Sequence, residues 1–360
     1  MLTDLLPATL TGSARTEHHS ARMRAIANPP NPYESQYREL LEPAGSVTLE
    51  VYEDSSREIL SRNDSPDLSF RWSLNPYRGC FHACAYCYAR PSHEYWGFGA
   101  GTDFDSKIMI KKNAPTLLRQ TFDKSSWQGE LIVFSGNTDC YQPLEAVYGL
   151  TRACLAVCAD YRNPVGIITK GALILRDLDL LERLQREAWL CVYISIPFAS
   201  DAVARKVEPH APSVSKRFDV IRALANKGIR VGISLAPLIP GLNESDIPEL
   251  LERAKAAGAS TAFATLLRLS GSLEPVFLQR MSELFPDRVG KIVNRLREVR
   301  GGRLTQSEFF KRQLGTGTYW EIIEQLFKVA KRRAGFSDDD PDEAVPKTFR
   351  RPGGEQGCLF

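Results

Sequence analysis

Short runs of apolar, often β-branched residues recur through the middle of the chain and alternate with amphipathic stretches. The runs occupy residues 131–134, 165–168, 191–194, 231–234 and 261–264, and residues 71–74 form a candidate first strand. Between them, Leu178, Leu181 and Leu184 recur at helical spacing, and residues 215–227 have the same character. Uniformly apolar strands joined by helices are typical of parallel strands covered on both faces. The sequence therefore predicts a six-unit β/α core.

Periodicity alone does not decide whether the six units form a partial barrel or an open, doubly wound sheet. In both, ligands gather beyond the carboxyl ends of the strands. We expect this core over residues 66–270 and a flexible N-terminal arm, rich in Pro, Ser, Asn and Arg, over residues 1–65. A helical region is predicted over residues 271–335, and a charged, flexible tail over residues 336–360.

Charge and hydropathy exclude several classes of protein. The chain has 46 Lys and Arg against 43 Asp and Glu, a net charge of +3, so it lacks the bulk excess of a dedicated phosphate binder. No apolar run approaches the roughly 18 residues of a membrane span, and residues 1–4 do not resemble a signal peptide. These features predict a cytoplasmic protein without a membrane partner. In that reducing compartment the eight cysteines are not expected to form a disulfide framework, and clustered cysteines are expected to bind metal.

Three cysteines follow the first predicted strand directly: Cys80, Cys84 and Cys87, spaced C-x3-C-x2-C. Three thiolates on so short a loop can hold a [4Fe-4S] cluster and leave its fourth iron without a protein ligand. The alternative is a structural zinc site completed by His82 or His93. The position at a strand's carboxyl end, the aromatic content of the loop and the absence of a second C-x2-C pair favour the cluster.

This motif, with Tyr86 directly before the last cysteine, resembles that of the radical S-adenosylmethionine (SAM) superfamily, and the resemblance spans roughly residues 70–270. It implies an α/β fold, a (β/α)6 partial TIM barrel, here with an N-terminal arm and a C-terminal helical extension. It also implies that the open iron chelates the amino and carboxylate groups of SAM, and that a reduced cluster splits SAM to a 5′-deoxyadenosyl radical. A flavodoxin- or ferredoxin-type reductant protein is expected as a partner.

The resemblance implies further cofactor contacts at other strand ends. The segment Ser135-Gly136-Asn137-Thr138-Asp139 occupies the place where the superfamily binds the methionine amino group, usually with Gly-Gly-Glu, so Ser135, Asn137 and Asp139 are expected to bind SAM. An Asx turn that caps the next helix is the alternative. Ser195 would suit a ribose hydroxyl. Residues 237–244 resemble the adenine-side motif through Ile239 and Gly241, and a proline-rich loop before a helix fits the same residues.

The segments 73–80, 135–143 and 237–243 resemble a bacterial branch related to spore photoproduct lyase. Those lyases reverse a thymine dimer in DNA and need a cysteine thiol that returns a hydrogen atom; the equivalent place here is Gly136. Cys140, four residues later, is the candidate hydrogen donor, with a buried core cysteine as the alternative. Arg268, after the sixth strand, is a candidate to meet the SAM carboxylate or a substrate phosphate. Lys170, Arg205, Glu208 and Arg217 are weaker candidates for such contacts.

The last five residues, Gln356–Phe360, resemble peptides that dock on bacterial DNA-polymerase sliding clamps. Three hypotheses follow from the sequence. The leading one is a radical SAM enzyme that abstracts hydrogen from an unknown substrate, with nucleic acid favoured. The others are a zinc-stabilised nucleic-acid-binding module without catalysis and a clamp-tethered iron–sulfur repair accessory.

Overall fold

The computed structural model describes residues 48–337 and 345–352, together with Tyr33, and these residues form two β-sheets with flanking helices. The larger sheet has seven strands in the order β10-β9-β8-β7-β6-β3-β2, and the smaller has the order β1-β5-β4. The strands are β1 (Glu50–Glu53), β2 (Leu60–Arg62), β3 (Trp72–Leu74), β4 (Tyr77–Arg78), β5 (Lys107–Ile110), β6 (Ile132–Phe134), β7 (Val165–Thr169), β8 (Leu190–Ser195), β9 (Val231–Leu238) and β10 (Thr261–Leu266).

Helices connect these strands and cover the sheet. They are α1 (Thr102–Ser106), α2 (Ala114–Asp123), α3 (Glu145–Tyr148), α4 (Leu150–Asp160), α5 (Leu178–Glu187), α6 (Asp201–Val207), α7 (Val214–Asn226), α8 (Ile247–Ala256), α9 (Leu273–Leu284), α10 (Val289–Val299) and α11 (Thr318–Arg333). Short 3-10 segments occupy Arg90–Trp96, Ala172–Asp177 and Glu244–Asp246.

Strand order decides between the two architectures that periodicity leaves open. Strands β3, β6, β7, β8, β9 and β10 are parallel and lie side by side in chain order. A doubly wound sheet reverses direction at a switch point, whereas this order runs in one direction throughout, as it does in a barrel. The terminal strands β2 and β10 do not pair with each other, so the barrel is incomplete. The predicted six-unit partial barrel is confirmed.

The apolar pattern that predicted the core also explains its packing. Phe134, Val165 and Ile167 on adjacent strands have no exposed surface. On α5, Leu181 and Leu184 are fully buried while the charged residues between them face outward. Each such leucine contributes about 2 kcal/mol of burial energy. Within the described residues, no helix is long and apolar enough to cross a bilayer.

Both terminal extensions contain segments that pair with or pack against the core. Residues 50–53 and 60–62 of the expected arm form β1 and β2, which pair with β5 and β3. The predicted domain bounds stay predictions. At the other end, Phe349 packs against Phe122, and Arg351 donates to the carbonyls of Phe122 and Lys124, so residues 345–352 are anchored rather than flexible. Gln356–Phe360, the remainder of residues 1–47 and residues 338–344 lie outside the described residues.

Candidate active site

The cysteine loop runs from the end of β4 into the 3-10 segment Arg90–Trp96. It is supported by the side chain of Arg90, which is fully buried. The Arg90 guanidinium donates to the Cys84 carbonyl at 3.1 and 2.9 Å and to the carbonyls of Ala100 and Gly101. Its charge is balanced by Asp105 at 2.7 Å. Since a buried guanidinium is stable only when its donors are satisfied, this brace fixes the middle of the loop.

Glycine is required where the loop begins. Gly79 has φ +75°, and a Cβ there would lie 2.9 Å from the Phe104 carbonyl and 3.0 Å from the His93 ring. The next residue, Cys80, donates its amide to that same carbonyl at 3.0 Å. The close approach therefore orients the first cysteine of the motif.

The three thiols of the motif lie on one loop and are largely shielded from solvent. All three are free, Cys80 and Cys84 are buried, and Cys87 is partly buried. Burial raises the pKa of Cys84 and brings that of Cys87 to about 11, and the charge of Cys80 adds to both shifts. No three His, Cys, Asp or Glu side chains among the described residues are arranged to share one metal ion. A [4Fe-4S] cluster takes Cys thiolates as ligands, so the donor set fits such a cluster.

His82, one of the two histidines that the zinc alternative names, contacts Asp139. Its Nδ1 lies 3.4 Å from the Asp139 carboxylate. Although burial opposes the charge, Cys80 and Asp139 raise the pKa of His82 to about 9. His93 is neutral, since burial lowers its pKa to about 4, and its Nε2 is bonded to the Lys107 carbonyl at 2.8 Å.

Asp139 organises the turn after β6 from a buried position. Its carboxylate accepts hydrogen bonds from the Thr169 hydroxyl at 2.5 Å, the Lys170 amide at 2.7 Å and the Tyr141 amide at 2.9 Å. Burial opposes ionisation, but His82 and these donors hold the pKa of Asp139 well below its usual range. The turn is thereby tied both to the cysteine loop and to the end of β7. Its predicted contact with SAM stays a prediction.

The other residues of the turn are held just as firmly. Ser135 has φ +86° and accepts from the Cys140 amide at 3.1 Å. Asn137 donates its amide to Asn75 at 2.8 Å, and its side-chain oxygen accepts from Ser92 at 2.9 Å. The turn therefore has one defined shape beside the cysteine loop, and the roles predicted for Ser135 and Asn137 stay predictions.

Gly136 meets both β3 and the cysteine loop. Its carbonyl accepts a hydrogen bond from the Tyr88 hydroxyl at 2.9 Å. A Cβ at this position would approach the Ser73 Cβ to 2.9 Å and its Oγ to 3.0 Å. A side chain at position 136 would therefore need Ser73 to move, and the predicted match of this position to the lyases' hydrogen-donating cysteine stays a prediction. Cys140 has no exposed surface and lies in the main hydrophobic core. Its predicted catalytic role stays untested.

A buried polar network lies beside Cys84. Glu208 accepts from the Tyr86 hydroxyl and from Arg217, and Lys170 Nζ lies 3.9 Å from its carboxylate. Burial opposes the charge on Lys170, but Cys84 and Glu208 raise its pKa, so it is an ammonium. Three of the weaker sequence candidates, Lys170, Glu208 and Arg217, therefore lie together next to Tyr86. The fourth, Arg205, is exposed on α6.

The predicted ribose and adenine contacts lie at the ends of β8 and β9. Ser195 is buried, and its carbonyl accepts from Arg217 at 3.0 Å. Ile239 is fully buried, and its amide donates to Asn243 at 2.7 Å. Gly241 has φ +88°, and its amide donates to the Glu244 carboxylate at 2.9 Å. All three lie at the carboxyl edge of the sheet, as predicted, and their roles stay predictions.

Arg268 lies at the same edge, after β10, and is half-buried. Its Nε is buried and has no hydrogen-bond partner among the described residues. Burial and the nearby Arg312 lower the pKa of Arg268, while Tyr88 is close enough to act in the opposite direction. An incompletely satisfied guanidinium beside the cysteine loop would gain stability from an anionic ligand.

Sequence reasoning missed the loop 303–316, which forms a rim next to Arg268. Arg300, which is buried, donates to four carbonyls at 2.8–2.9 Å, those of Leu267, Lys311, Arg312 and Leu314. The rim presents Phe309 and Phe310, with 47% and 62% of their surface exposed, and the Arg312 guanidinium lies 4.8 Å from the Phe309 ring. The adjacent Phe309-Phe310 pair was the one signal available in the sequence.

Comparisons with known proteins agree with this geometry. The radical SAM superfamily matches residues 74–254, about half of the chain. An uncharacterized protein of Mycobacterium tuberculosis is 35% identical over 234 residues, which are 64% of this chain and 68% of that protein. The radical SAM Nα-GlyT isomerase of Pseudomonas phage M6 is 25% identical over 255 residues, 70% of this chain and 51% of the isomerase.

Solved structures of spore photoproduct lyase variants show the same fold. One superimposes with a TM-score of 0.55 at 16% identity and covers 83% of this chain and 85% of the lyase. Another, with bound AdoMet and dinucleoside spore photoproduct, gives a TM-score of 0.52 at 16% identity over 84% of this chain and 88% of the lyase. At this identity the likeness establishes the fold alone. From the superfamily match, the chain belongs to the radical SAM superfamily, whose members use a [4Fe-4S] cluster and SAM.

Proposed function

We propose that this protein binds a [4Fe-4S] cluster through Cys80, Cys84 and Cys87 and abstracts a hydrogen atom from a nucleic-acid substrate. The observation that carries the proposal is the set of three free thiols on one loop, which follows β3 and β4 and is braced by Arg90. When bound, the reduced cluster and SAM supply a 5′-deoxyadenosyl radical at this edge. The protein's part is to bind, orient and exclude water.

The residues around Cys84 suit the polar end of SAM. The Lys170 ammonium is the candidate for its carboxylate, because Glu208 and Arg217 hold that charge in place beside the loop. Ser135 and Asn137 remain the candidates for its amino group. The Asp139 carboxylate is already occupied by three donors, so we assign it to shaping that turn.

Ser195 is the candidate for the ribose of SAM, because it ends β8 at the same edge of the sheet. Ile239 and Gly241 are the candidates for adenine. The Gly241 turn is fixed by Glu244, which would keep the backbone beside the base in one position.

The rim supports nucleic acid as the substrate class. Exposed Phe309 and Phe310 offer surfaces on which bases stack, and Arg268 offers a charge for a phosphate. The expected reaction differs from thymine-dimer reversal, because the position of the returning thiol is Gly136 and Ser73 closes on it.

Anaerobic reconstitution with iron and sulfide tests the cluster and the radical chemistry together. About four irons per chain and release of 5′-deoxyadenosine from SAM under dithionite are expected. Alanine at Cys80, Cys84 or Cys87 should abolish both, whereas Cys158→Ala, which changes a buried core cysteine on α4, should retain both. Cleavage of SAM by a variant that lacks a loop cysteine, or one zinc per chain in place of iron, would refute the proposal.

We also propose a cytoplasmic setting, where thiols stay reduced, and docking of Gln356–Phe360 on a sliding clamp. The motif itself supports the docking, and residues 345–352 anchor the chain just before it. A variant truncated after Glu355 should lose clamp binding in fluorescence polarisation while its thermal unfolding is unchanged. Equal clamp affinity of the truncated and full-length chains would end the clamp hypothesis.

A further inference from the structure

The turn proposed above to hold the adenine of SAM has two anchors. Asn243 has no exposed surface and fixes the first half, since it accepts from the Ile239 amide at 2.7 Å and donates to the Pro197 carbonyl at 2.7 Å. Glu244 fixes the second half, because both of its carboxylate oxygens accept from the Gly241 amide at 2.9 Å. Glu244 is only partly buried, so its position depends on what else holds it.

A residue of the last helix holds Glu244. Tyr319, in the first turn of α11, donates its hydroxyl to the Glu244 carboxylate at 2.5 Å. Burial and this hydrogen bond raise the pKa of Tyr319 to about 12, so the hydroxyl keeps its proton and remains a donor at neutral pH. A hydrogen bond to a charged acceptor is among the stronger kinds. The contact therefore removes much of the rotational freedom that the Glu244 side chain would otherwise have.

The preceding helix, α10, supports both the tyrosine and the turn. The Arg295 guanidinium carbon lies 4.0 Å from the centre of the Tyr319 ring, within the range of a cation–π contact. Gly241 packs on the same helix: a Cβ at this position would lie 3.3 Å from the backbone of Ile292. Both helices therefore contact the turn, and both lie outside residues 74–254, which match the superfamily.

We propose that Tyr319 is a positioning residue for the adenine of SAM, and that it acts through Glu244 to hold the turn at Gly241 in the shape that receives the base. The proposal rests on the adenine contacts proposed above. Tyr319 need not touch SAM for this role, because a turn that is already ordered loses less conformational entropy when its ligand binds. The helical region that follows the core thereby takes part in cofactor binding.

Tyr319→Phe tests this role in the full chain after anaerobic reconstitution, because it removes one hydroxyl and keeps the aromatic ring against Arg295. The dissociation constant of SAM, measured by equilibrium dialysis without reductant, should rise about fivefold, as expected when one hydrogen bond is lost. The iron content should not change. Under dithionite, the release of 5′-deoxyadenosine should be slower at low SAM, and the difference should disappear at saturating SAM. A general loss of structure would not separate affinity from maximal rate in this way.

A double-mutant cycle with Glu244→Gln tests whether Tyr319 acts through the carboxylate. Glu244→Gln should weaken SAM binding by itself. The further change Tyr319→Phe should then weaken binding little more, because both substitutions remove the same support from the turn. Fully additive losses of affinity would show that Tyr319 does not act through Glu244.

The matched control is Tyr161→Phe, which removes a hydroxyl that donates to the Asp123 carboxylate at 2.6 Å. Tyr161 follows α4 and precedes β7, so it lies at the amino edge of the sheet, opposite the proposed SAM contacts. This variant should bind SAM like the wild type. Equal SAM affinities of Tyr319→Phe and the wild type would overturn the positioning role and leave the adenine contacts standing. A reconstituted wild-type chain that binds no SAM would reject both.

Discussion

At the scale of single residues, Gly136 separates this protein most clearly from the lyases whose fold it shares. If position 136 corresponds to that of the lyases' returning thiol, as the sequence predicts, packing as well as sequence excludes a thiol there, because Ser73 on β3 occupies the space that a side chain would need. Tyr88 then closes the site with its hydrogen bond to the Gly136 carbonyl. The glycine at position 136 and the close contact with Ser73 are consistent with each other, and both indicate that this position does not serve as a thiol donor.

Gly136→Cys is therefore expected to destabilise the fold by about 1–3 kcal/mol, the usual cost of overpacking. Ser73→Gly removes the clashing Cβ at a cost of about 1 kcal/mol for a strand glycine. In the double variant the two losses should not add, and at least about 1 kcal/mol of coupling should appear in urea unfolding of the four proteins. Strictly additive losses would show that the Ser73 contact does not restrict position 136.

Residue types and spacing are enough to propose the cysteine triad, because its three members lie within eight positions of one another, and its role as a ligand set stays a prediction. The hydrogen bond from Tyr86 to Glu208 joins residues 122 positions apart, and no local sequence pattern predicts such a pair. Arg90 is similar, since its role depends on carbonyls that only the folded loop brings together. Candidate ligands that are close in sequence could therefore be proposed from the sequence, whereas the residues that hold their loop in place could not.

At the scale of elements, the six parallel strands were predicted closely because each is a short apolar run. The rim 303–316 was not predicted, since its shape depends on the Arg300 hydrogen bonds rather than on a repeating pattern. Strands β1 and β2 were assigned to an arm for a related reason: short edge strands of mixed polarity become recognisable only when their partners are known.

The rim is the element on which nucleic-acid binding should depend. Phe309→Ser/Phe310→Ser should weaken binding of a single-stranded oligonucleotide at least about tenfold, because each stacked base contributes about 1–3 kcal/mol. Arg268→Met should weaken binding and reduce the salt slope by about one. Fluorescence anisotropy at several salt concentrations measures both effects.

Arg186→Met is the control, because this exposed residue in the last turn of α5 precedes β8 and so lies at the opposite, amino edge of the sheet. It should leave affinity and slope nearly unchanged. Affinities that are the same for the aromatic double variant and the wild type would exclude the rim as the nucleic-acid site.

At the scale of the whole molecule, buried ionisable groups make stability depend on pH, and His93 gives the clearest case. Burial lowers its pKa from 6.5 to about 4, so the unfolded chain binds a proton more readily than the folded one between these values. This contribution is fully present above pH 6.5 and is lost as pH falls towards 4. It amounts to about 3 kcal/mol, from about 1.4 kcal/mol per pH unit.

Urea unfolding of the wild type and His93→Gln across this range isolates the effect. Glutamine can still donate to the Lys107 carbonyl but does not titrate. The difference in unfolding free energy between the two proteins should therefore change in favour of the variant as the pH falls. A difference that stays constant with pH would show that His93 titrates normally in the folded protein.

The Arg90 brace has a consequence for how the protein survives exposure to air. Oxygen destroys exposed iron–sulfur clusters, and a loop shaped only by its metal would collapse when the metal leaves. Here the carbonyls of Cys84, Ala100 and Gly101 are held by the Arg90 guanidinium, and its charge is balanced by Asp105. If the loop binds the proposed cluster, we expect it to keep its shape when iron is lost, so that iron and sulfide can restore the cluster in the folded chain.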